Sequence, residues 1–289
     1  PVLIAAGGTG GHMFPAVSLA SALAARGHSI LFVTDPRGGL VTSDVLGLPK
    51  TVMRHTISAR SLGGGPKGMA AGVKALAKGF FESRRLIREY KPTIAVGFGG
   101  YPSVPPILAA GFAGLPTVIH EQNAVLGRAN RRLARGAKAF ALSFAQTQRL
   151  KSAGHSKATV VGNPVRPEIA ALAARPYTPP SGVIDLLVVG GSQGAQVFSK
   201  IAPTAFKSLS APQRARFRLA QQCRAEDIDE VRATYAALNM PVELETFFDD
   251  MPARLAAAHL VVGRAGASTV AELTTAGRPA LYVPYPHAI

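Results

Sequence analysis

Short apolar runs alternate with longer segments of mixed polarity along almost the whole chain. Two of these runs, at residues 2–5 and 186–189, contain no polar side chain. Uninterrupted apolar runs of this length, followed closely by glycine, are typical of strands that are buried on both faces. Strands that alternate with helical segments in this way predict parallel sheets that are covered by helices on both faces.

The alternation falls into two series of elements. The predicted strands are residues 2–6, 29–34, 51–55, 93–97, 116–120, 138–142, 158–161, 185–190, 215–221, 242–246, 259–262 and 280–283. The predicted helices are residues 13–26, 67–90, 103–113, 127–135, 194–209, 225–238, 252–258 and 268–276. A Pro-rich stretch at 175–180 interrupts the pattern between the two series. We therefore predict an α/β protein of two doubly wound, Rossmann-like domains that face each other across a cleft, at residues 1–165 and 166–289.

Three glycine-rich turns directly follow predicted strands. They are GGTGGH at 7–12, GFGGY at 97–101 and GGSQGA at 190–195. A strand, a glycine turn and a helix start together present backbone N–H groups to a phosphate. Because such turns occur in both halves, we expect a protein that handles two phosphorylated ligands. The first turn lacks the third glycine of a dinucleotide fingerprint, but Asp35 lies close to where a ribose-binding acid would, so this feature alone leaves a nicotinamide enzyme open.

Positive charge is concentrated in the first half. The chain has a formal net charge of +16, and residues 1–165 hold 20 Lys and Arg against 5 Asp and Glu. Such an excess indicates an anionic ligand or surface. Segment 58–91 combines basic and apolar residues, which suits an anionic membrane surface, although a helix of this pattern can equally bury its apolar side in its own core. No recognisable nucleic-acid-binding motif accompanies the charge, so we expect no nucleic acid partner.

Several classes of protein are disfavoured. The single cysteine, Cys223, excludes an internal disulfide and makes a thiolate metal site implausible. The segment HEQN at 120–123 is not the zinc-binding HExxH pattern. Asp249 and Asp250 lie in a turn before Pro252, where helix capping is a better explanation than a metal-bound diphosphate. We therefore expect neither a metal nor a cofactor.

Polar residues at the ends of predicted strands in the first half are candidates for chemistry. His12 opens the first helix, where the helix dipole favours a neutral imidazole that can accept a proton from a hydroxyl group. The alternative is that His12 only hydrogen-bonds a ligand or the backbone. Asn123 is the preferred sugar contact, and Glu121 could either contact ligand or pair with one of the arginines that follow it.

The second half contributes a different set of candidates. Arg166 either points to the ligand site or tethers the connection between the domains. Ser192 offers a hydroxyl group within the strongest of the three phosphate turns. Ser268 or Thr269 can cap the helix that follows, and Glu272 either accepts hydrogen bonds from ribose hydroxyls or closes a capping box with one of them.

Taken together, the motifs resemble the MurG family of inverting glycosyltransferases, which have the fold called GT-B. The segments that carry the resemblance are GGTGGH at 7–12, GFGGYPSVP at 97–105, HEQN at 120–123, GNPVR at 162–166, GGSQGA at 190–195 and RAGASTVAEL at 264–273. The resemblance implies transfer of N-acetylglucosamine from UDP-N-acetylglucosamine to the 4-hydroxyl of an N-acetylmuramoyl-pentapeptide carried on undecaprenyl diphosphate. It also implies a peripheral protein on the anionic, cytoplasmic face of the bacterial plasma membrane.

The resemblance also implies roles for individual residues. The donor sugar and reacting centre would be contacted by Thr9, Gly10, Gly11 and Asn123. Uracil and diphosphate would be held by Arg166, Ser192 and the backbone around Phe248. Phosphate and ribose would be bound by Ala267, Ser268, Thr269, Val270, Ala271 and Glu272. The acceptor diphosphate would face Gly99, Gly100 and Tyr101.

Two alternatives and one departure accompany this hypothesis. A UDP-sugar 2-epimerase or hydrolase of the same fold would need more carboxylates than the first half supplies. A non-catalytic basic module for binding a membrane is the other alternative. The family pattern continues beyond PYPHA, whereas this chain stops at Ile289, so we expect a fragment or a shortened product whose activity is in doubt.

Overall fold

The structure is a computed structural model in which residues 1–36, 48–63, 65–191 and 196–285 are described. The chain divides into two compact units, Pro1–Pro164 and Val165–Ile289. Each unit is built on one sheet.

Within its described residues, the first unit contains seven strands and five α-helices. The strands are β1 (Val2–Ala5), β2 (Ile30–Thr34), β3 (Met53–Thr56), β4 (Ile94–Gly97), β5 (Thr117–Glu121), β6 (Ala139–Leu142) and β7 (Ala158–Val160). The helices are α1 (Gly10–Ala25), α2 (Gly65–Tyr90), α3 (Val104–Phe112), α4 (Arg128–Leu133) and α5 (Ser152–His155), and a 3-10 turn spans Tyr101–Ser103.

The strands of the first unit form a parallel sheet in the order β3-β2-β1-β4-β5-β6-β7. The chain fills one side of β1 with β2 and β3, and then returns to build the other side from β4. The point where the strand order reverses therefore lies between β1 and β4. In open parallel sheets, ligands bind at such a point, beyond the carboxyl ends of the strands.

The second unit repeats this design with five strands among the residues that the structure describes. These are β8 (Ile184–Val189), β9 (Phe217–Gln222), β10 (Val242–Glu245), β11 (Leu260–Arg264) and β12 (Ala280–Val283). The described helices are α6 (Pro167–Ala170), α7 (Gln196–Lys207), α8 (Ala211–Arg214), α9 (Ile228–Ala237), α10 (Met251–Ala257) and α11 (Ala267–Thr275), and a 3-10 turn spans Ala171–Ala174. The parallel order β10-β9-β8-β11-β12 reverses between β8 and β11. The prediction of two doubly wound parallel sheets is confirmed.

Both faces of the first sheet are buried under helices. Leu3 and Ala5 belong to one hydrophobic cluster, whereas Ile4 and Phe32 belong to another. All four side chains are fully buried. Because successive side chains of a strand point to opposite faces, a strand that is covered on both sides must be apolar throughout. Burial of each large apolar side chain contributes about 1.5–3 kcal/mol, which explains the uninterrupted apolar runs.

The structure differs from the predicted elements mainly at short helices and helix starts. Helices α5, α6 and α8 have four residues each and are absent from the prediction, because a single turn is too short to show a helical period. Helix α1 begins at Gly10, before the predicted start at residue 13. The amides of His12 and Met13 both bond to the carbonyl oxygen of Thr9 at 3.1 Å, so the first turn forms despite two glycines of low helix propensity.

Helix α2 packs against the preceding segment, residues 58–63, through a row of glycines. A Cβ at Gly79 would overlap the carbonyl oxygen of Ser58, and a Cβ at Gly72 would lie 2.6 Å from that of Ser61. The carboxylate of Glu82, one turn beyond Gly79, accepts a hydrogen bond from the Ser58 amide at 2.6 Å. The missing side chains therefore let residues 58–63 run directly along the helix.

We expect Gly79→Ala to destabilise the protein by about 1–3 kcal/mol, because the new methyl group must push the Ser58 backbone away. Gly111→Ala is the matched control, since a Cβ there meets no atom within 4 Å. In a helix this control should be neutral or stabilising by up to about 1 kcal/mol. Denaturant unfolding followed by circular dichroism measures both. Equal stability of the two variants would contradict the close packing of α2.

Candidate functional site

The glycine turns that follow β1 and β4 pack directly against each other. Gly100 has a φ of 75°, and a Cβ there would overlap the carbonyl oxygen of Gly7. A Cβ at Gly7 would in turn lie 2.6 Å from the ring of Pro102. Only glycine combines the left-handed backbone with such a close approach. The two turns therefore lie side by side at the point where the strand order of the first sheet reverses.

His12 lies in the first turn of α1, beside the turn after β4. It is half-buried, and a Cβ at Gly99 would lie 3.2 Å from Cε1 of its ring. The neighbouring residues Thr9 and Gly11 are exposed, whereas Gly10 is buried. The structure thus brings the imidazole together with the predicted acceptor turn, at the exposed start of a helix.

Hydrogen bonds connect His12 to the end of β5. Nδ1 of His12 lies 3.0 Å from Oε1 of Gln122. Nε2 of Gln122 donates to the carbonyl oxygen of Phe98 at 3.0 Å and lies 3.0 Å from Nδ1 of His120. Nε2 of His120 lies 3.1 Å from the carbonyl oxygen of Gly162. We refer to this arrangement as the His12–Gln122–His120 chain.

The inner part of this chain is sealed from water. Gln122 is 1% exposed and His120 is 3% exposed. The His120 ring stacks on Phe98, with 4.9 Å between the ring centroids. Burial lowers the pKa of His120 below its usual value, despite the opposing effects of the Gly162 carbonyl and the Glu121 carboxylate. His120 is therefore a neutral imidazole at pH 7.

Glu121 faces the opposite side of the strand end and organises the loop that follows. Its carboxylate accepts hydrogen bonds from the amide and side chain of Asn123 at 3.0 and 3.1 Å, from the amide of Gly127 at 2.9 Å and from Nδ2 of Asn130 at 2.8 Å. All four donors are neutral, and Glu121 is 1% exposed. Pairing of Glu121 with a following arginine is therefore wrong. Asn123 is exposed, and Glu121 holds both its backbone and its side-chain nitrogen.

In the second unit, the turn after β8 begins at Gly190, whose amide donates to Oε1 of Gln222 at 3.2 Å. Gly191 has a φ of 81°. The predicted contact Ser192 lies outside the described residues, which resume at Gln196 with α7. The described part of this turn thus places its backbone at the reversal of the second sheet, next to β11.

The turn after β11 leads into α11. The alternative in which Ser268 or Thr269 caps this helix and Glu272 closes a capping box is wrong. Gly266 is the N-cap of α11, so Ser268 and Thr269 lie inside the first turn and do not cap the helix. Glu272 does not close a capping box. Its carboxylate instead accepts two hydrogen bonds from Arg166, from Nε at 2.9 Å and from Nη2 at 3.1 Å.

The Arg166–Glu272 pair supports a tethering role for Arg166, and its contact with a ligand stays a prediction. The arginine side chain is 18% exposed and the glutamate side chain is 15% exposed. Two parallel N–H···O bonds in a mostly buried pair form a strong and geometrically specific contact. Arg166 therefore ties the segment that opens the second unit to α11, within the row of predicted ligand contacts Ala267, Ser268, Thr269, Val270 and Ala271.

Phe248 lies in the core of the second unit and not on its surface. Its side chain is 4% exposed, and the guanidinium carbon of Arg254 lies 4.0 Å from the ring centroid. Asp250 occupies the N-cap position of α10, as the capping explanation requires, but its carboxylate accepts a bond from Nε of Arg254 at 2.5 Å and caps nothing. Only the backbone around Phe248 is thus a candidate for ligand contact.

The described residues contain neither a candidate metal cluster nor a candidate membrane span. No three His, Cys, Asp or Glu side chains in this part of the chain lie close enough together to hold a metal ion. No helix within the same residues combines the length and apolar character that crossing a bilayer requires.

Gln122 and His120 are the residues that sequence reasoning left without a role. The alternation of side chains along a strand could have paired them, because residues two apart at a strand end point to the same side. His120 and Gln122 therefore share one side, whereas Glu121 faces the other. The partner across that side, His12, is 110 positions away along the chain, and no local pattern identifies it.

Comparisons with known proteins agree with this architecture. Residues 2–142 match the glycosyltransferase family 28 N-terminal domain, and residues 185–289 match the family 28 C-terminal domain. A Rhodospirillum centenum protein named UDP-N-acetylglucosamine--N-acetylmuramyl-(pentapeptide) pyrophosphoryl-undecaprenol N-acetylglucosamine transferase is 50% identical over 100% of this chain and 76% of its own length. The crystal structure of Acinetobacter baumannii MurG matches with a TM-score of 0.72 and 29% identity, over 100% of this chain and 78% of that one.

The chain belongs to the MurG family. It is therefore a glycosyltransferase, and its two units correspond to the N- and C-terminal domains of family 28. A UDP-GlcNAc 2-epimerase from Neisseria meningitidis, bound to UDP-GlcNAc, also matches with a TM-score of 0.65, over 97% of this chain and 81% of that one. Its identity is only 15%, so that likeness concerns the fold alone. Membership of the MurG family leaves no support for a nicotinamide-dependent enzyme, the alternative that the position of Asp35 left open.

We expect Arg166→Met to destabilise the protein by about 3 kcal/mol, because it leaves the Glu272 carboxylate mostly buried and unpaired. The double variant Arg166→Met with Glu272→Met should recover most of this loss. Arg218→Met is the control, since its pair with Asp185 at 2.6 Å involves a side chain that is 75% exposed, and it should cost less than about 1 kcal/mol. Thermal unfolding measures all three. Equal losses for Arg166→Met and Arg218→Met would contradict the structural role of the buried pair.

Proposed function

We propose that this protein transfers N-acetylglucosamine from UDP-N-acetylglucosamine to undecaprenyl-diphosphate-linked N-acetylmuramoyl-pentapeptide. The observation that carries the proposal is the 50% identity over the full chain to the R. centenum transferase named for this reaction. The acceptor is a lipid-linked diphosphate and the donor is a nucleotide diphosphate. Two sheets whose glycine turns both lie at strand-order reversals suit two such ligands.

His12 is the proposed base for the acceptor hydroxyl. It lies half-buried at the exposed start of α1, and Gly99 and Gly100 adjoin it. These two glycines and Tyr101 are the proposed acceptor contacts. A neutral imidazole at that position can accept the hydroxyl proton while the oxygen attacks the anomeric carbon. Attack from the face opposite UDP inverts the configuration of that carbon. Thr9, Gly10, Gly11 and Asn123 are the proposed contacts of the donor sugar.

The second unit is the proposed nucleotide site. The first turn of a helix presents N–H groups without intrahelical partners, and α11 begins at Ala267 with the small residues that allow a close approach. Ala267, Ser268, Thr269, Val270 and Ala271 are the proposed phosphate and ribose contacts. Uracil and diphosphate are assigned to Arg166, to the backbone around Phe248 and to Ser192, which lies outside the described residues.

Glu272 has the chemistry for two partners at once. Each of its oxygens accepts one hydrogen bond from Arg166. A carboxylate oxygen can accept more than one hydrogen bond, so ribose hydroxyls can add to this pair without breaking it. Arg166 then holds the carboxylate in position for the ribose.

Departure of UDP adds negative charge to the diphosphate. Fixed N–H groups at the start of a helix stabilise such charge without reorganising. By analogy with oxyanion holes, each well-placed donor is worth about 2.7–4 kcal/mol of barrier. This makes backbone donors of the second unit the main proposed source of leaving-group stabilisation.

Helix α2 and its neighbour α3 form the proposed membrane surface. Met69, Val73 and Phe81 on α2 and Phe112 on α3 are 54%, 56%, 67% and 77% exposed. The Phe80 ring lies between Phe81 and Phe112, with 5.6 Å between centroids on each side. Basic residues accompany this apolar patch on the same helix: Lys67, Lys74, Lys78, Arg84 and Arg85. Large exposed apolar side chains beside cations support docking on anionic lipid at the cytoplasmic face of the plasma membrane.

We expect Glu272→Ala to weaken UDP binding by about 10- to 100-fold, because hydrogen bonds to a charged group are lost. His12→Ala should leave UDP affinity within about twofold and lower turnover by about 10²-fold or more, as loss of a general base does. Glu230→Ala, an exposed glutamate on α9, is the control for removing a carboxylate. Isothermal titration calorimetry measures UDP affinity. Unchanged affinity in Glu272→Ala would refute the proposed ribose contact.

For the membrane surface, the double variant Phe81→Ser with Phe112→Ser should reduce binding to vesicles that contain anionic lipid by at least tenfold. The loss follows from removing two large apolar side chains from the lipid contact. Phe144→Ser is the matched control, since Phe144 is 40% exposed elsewhere in the first unit. Vesicle sedimentation at low and moderate salt measures binding. If the control lost as much binding as the double variant, the assignment of the α2–α3 surface would fail.

A further inference from the structure

We propose that Gln122 is a positioning residue that holds the neutral His12 ring in the tautomer with its proton on Nδ1, so that Nε2 is the proton acceptor. The inference rests on the proposed role of His12 as the base. It is supported by the His12–Gln122–His120 chain. Each hydrogen bond in this chain has only one possible direction, because the chain ends on the carbonyl oxygens of Phe98 and Gly162, which can only accept.

At one end of the His12–Gln122–His120 chain, the carbonyl group of Phe98 fixes the orientation of the Gln122 amide. The carbonyl oxygen of Phe98 can only accept, and it lies 3.0 Å from Nε2 of Gln122. An amide oxygen in that place would face another oxygen, so the NH₂ group must occupy it. Oε1 of Gln122 is then the atom that lies 3.0 Å from Nδ1 of His12.

At the other end of the chain, the carbonyl group of Gly162 requires the same orientation of the amide independently. The carbonyl oxygen of Gly162 also only accepts, so Nε2 of His120, 3.1 Å away, carries the proton of that ring. Since a neutral imidazole has one N–H, Nδ1 of His120 is an acceptor, and it receives the second N–H of Gln122 at 3.0 Å. Two carbonyl groups at opposite ends therefore require the same orientation of one amide.

The consequence falls on His12. Oε1 of Gln122 has no proton to give, so Nδ1 of His12 must donate. The lone pair of the neutral ring is then on Nε2. The reversed amide would place Oε1 against both the Phe98 oxygen and Nδ1 of His120, and at 1% exposure Gln122 has no water to relieve these contacts.

During transfer the proton balance is simple. The acceptor hydroxyl gives its proton to Nε2 of His12 while its oxygen forms the new bond to the anomeric carbon. The bond from that carbon to the diphosphate oxygen breaks, and its electron pair leaves with UDP. The resulting imidazolium keeps its Nδ1–H···Oε1 bond, because an amide oxygen does not take the proton. Gln122 thus supports both states of the base without moving.

The direct test is the tautomer of His12 in the wild-type protein. Nitrogen-15 NMR of the imidazole ring, at a pH where the ring is neutral and with His12→Ala to assign the signals, distinguishes a protonated from an unprotonated nitrogen. We expect Nδ1 to be protonated and Nε2 to be unprotonated. A proton on Nε2 would overturn the inference, and this measurement requires no change at Gln122.

The variant Gln122→Met keeps the length of the side chain and removes both hydrogen-bonding groups. We expect the Nδ1–H signature of His12 to be lost or mixed with the other tautomer. The matched control is Gln221→Met, which removes a glutamine that is 0% exposed in the second unit and should leave the His12 signals unchanged. An unchanged tautomer in Gln122→Met would overturn the inference.

Kinetics separate positioning from a purely structural role. Gln122→Met should lower kcat by up to about 10²-fold, with KM for UDP-N-acetylglucosamine within about twofold. In a His12→Ala background the same substitution should cause no further loss, whereas additive losses would contradict an action through His12. Full turnover in His12→Ala would refute the base assignment, and the tautomer measurement would then decide the inference alone.

Discussion

The contact between two main-chain turns, at Gly7 and Gly100, is the constraint on which the site of the first unit depends. No side chain fits between the two turns, because a Cβ at Gly100 would overlap the Gly7 carbonyl oxygen. This approach places the start of α1 against the turn after β4, and β4 lies between β1 and β5 in the sheet. Only with that spacing can His12, which follows β1, reach Gln122, which follows β5, at 3.0 Å. A larger residue at either glycine would separate the imidazole from its hydrogen-bond partner.

The two units position their polar groups by different physical means. At the site of the first unit, two polar groups bond to neutral partners: Glu121 accepts four hydrogen bonds from amide nitrogens, and His12 is linked through an amide to a neutral His120. In the second unit a mostly buried ion pair, Arg166–Glu272, holds the carboxylate on α11. The difference suits the proposed ligands. A proton acceptor benefits from neighbours whose charge does not change, whereas a group that binds ribose hydroxyls benefits from a fixed negative charge.

Helix α2 packs on the core of the first unit and also carries part of the proposed membrane surface. Its glycines let residues 58–63 pack along one side, which leaves Met69, Val73 and Phe81 on the exposed side. The sequence of this segment is compatible with both a buried and a lipid-facing stripe. In the structure the apolar residues of α2 serve both purposes: Phe80 and Leu86 pack on the core, whereas Phe81 is 67% exposed. One helix therefore supports the sheet and presents apolar side chains to an anionic lipid surface in the proposed function.

The sequence alone determined the features that depend on local periodicity. Strands that are buried on both faces need uninterrupted apolar runs, so β1, β2 and β8 can be identified from the sequence. The alternation of strands and helices that specifies two doubly wound sheets can be identified in the same way. The glycine turns and the family resemblance can also be recognised from the sequence, because they depend on residue types within short segments. Tertiary structure decided which polar groups pair. Arg166 and Glu272 are 106 positions apart, and His12 and Gln122 are 110 positions apart. Such pairs are set by sheet order and by the packing of turns, and neither is encoded in the spacing of residues along the chain.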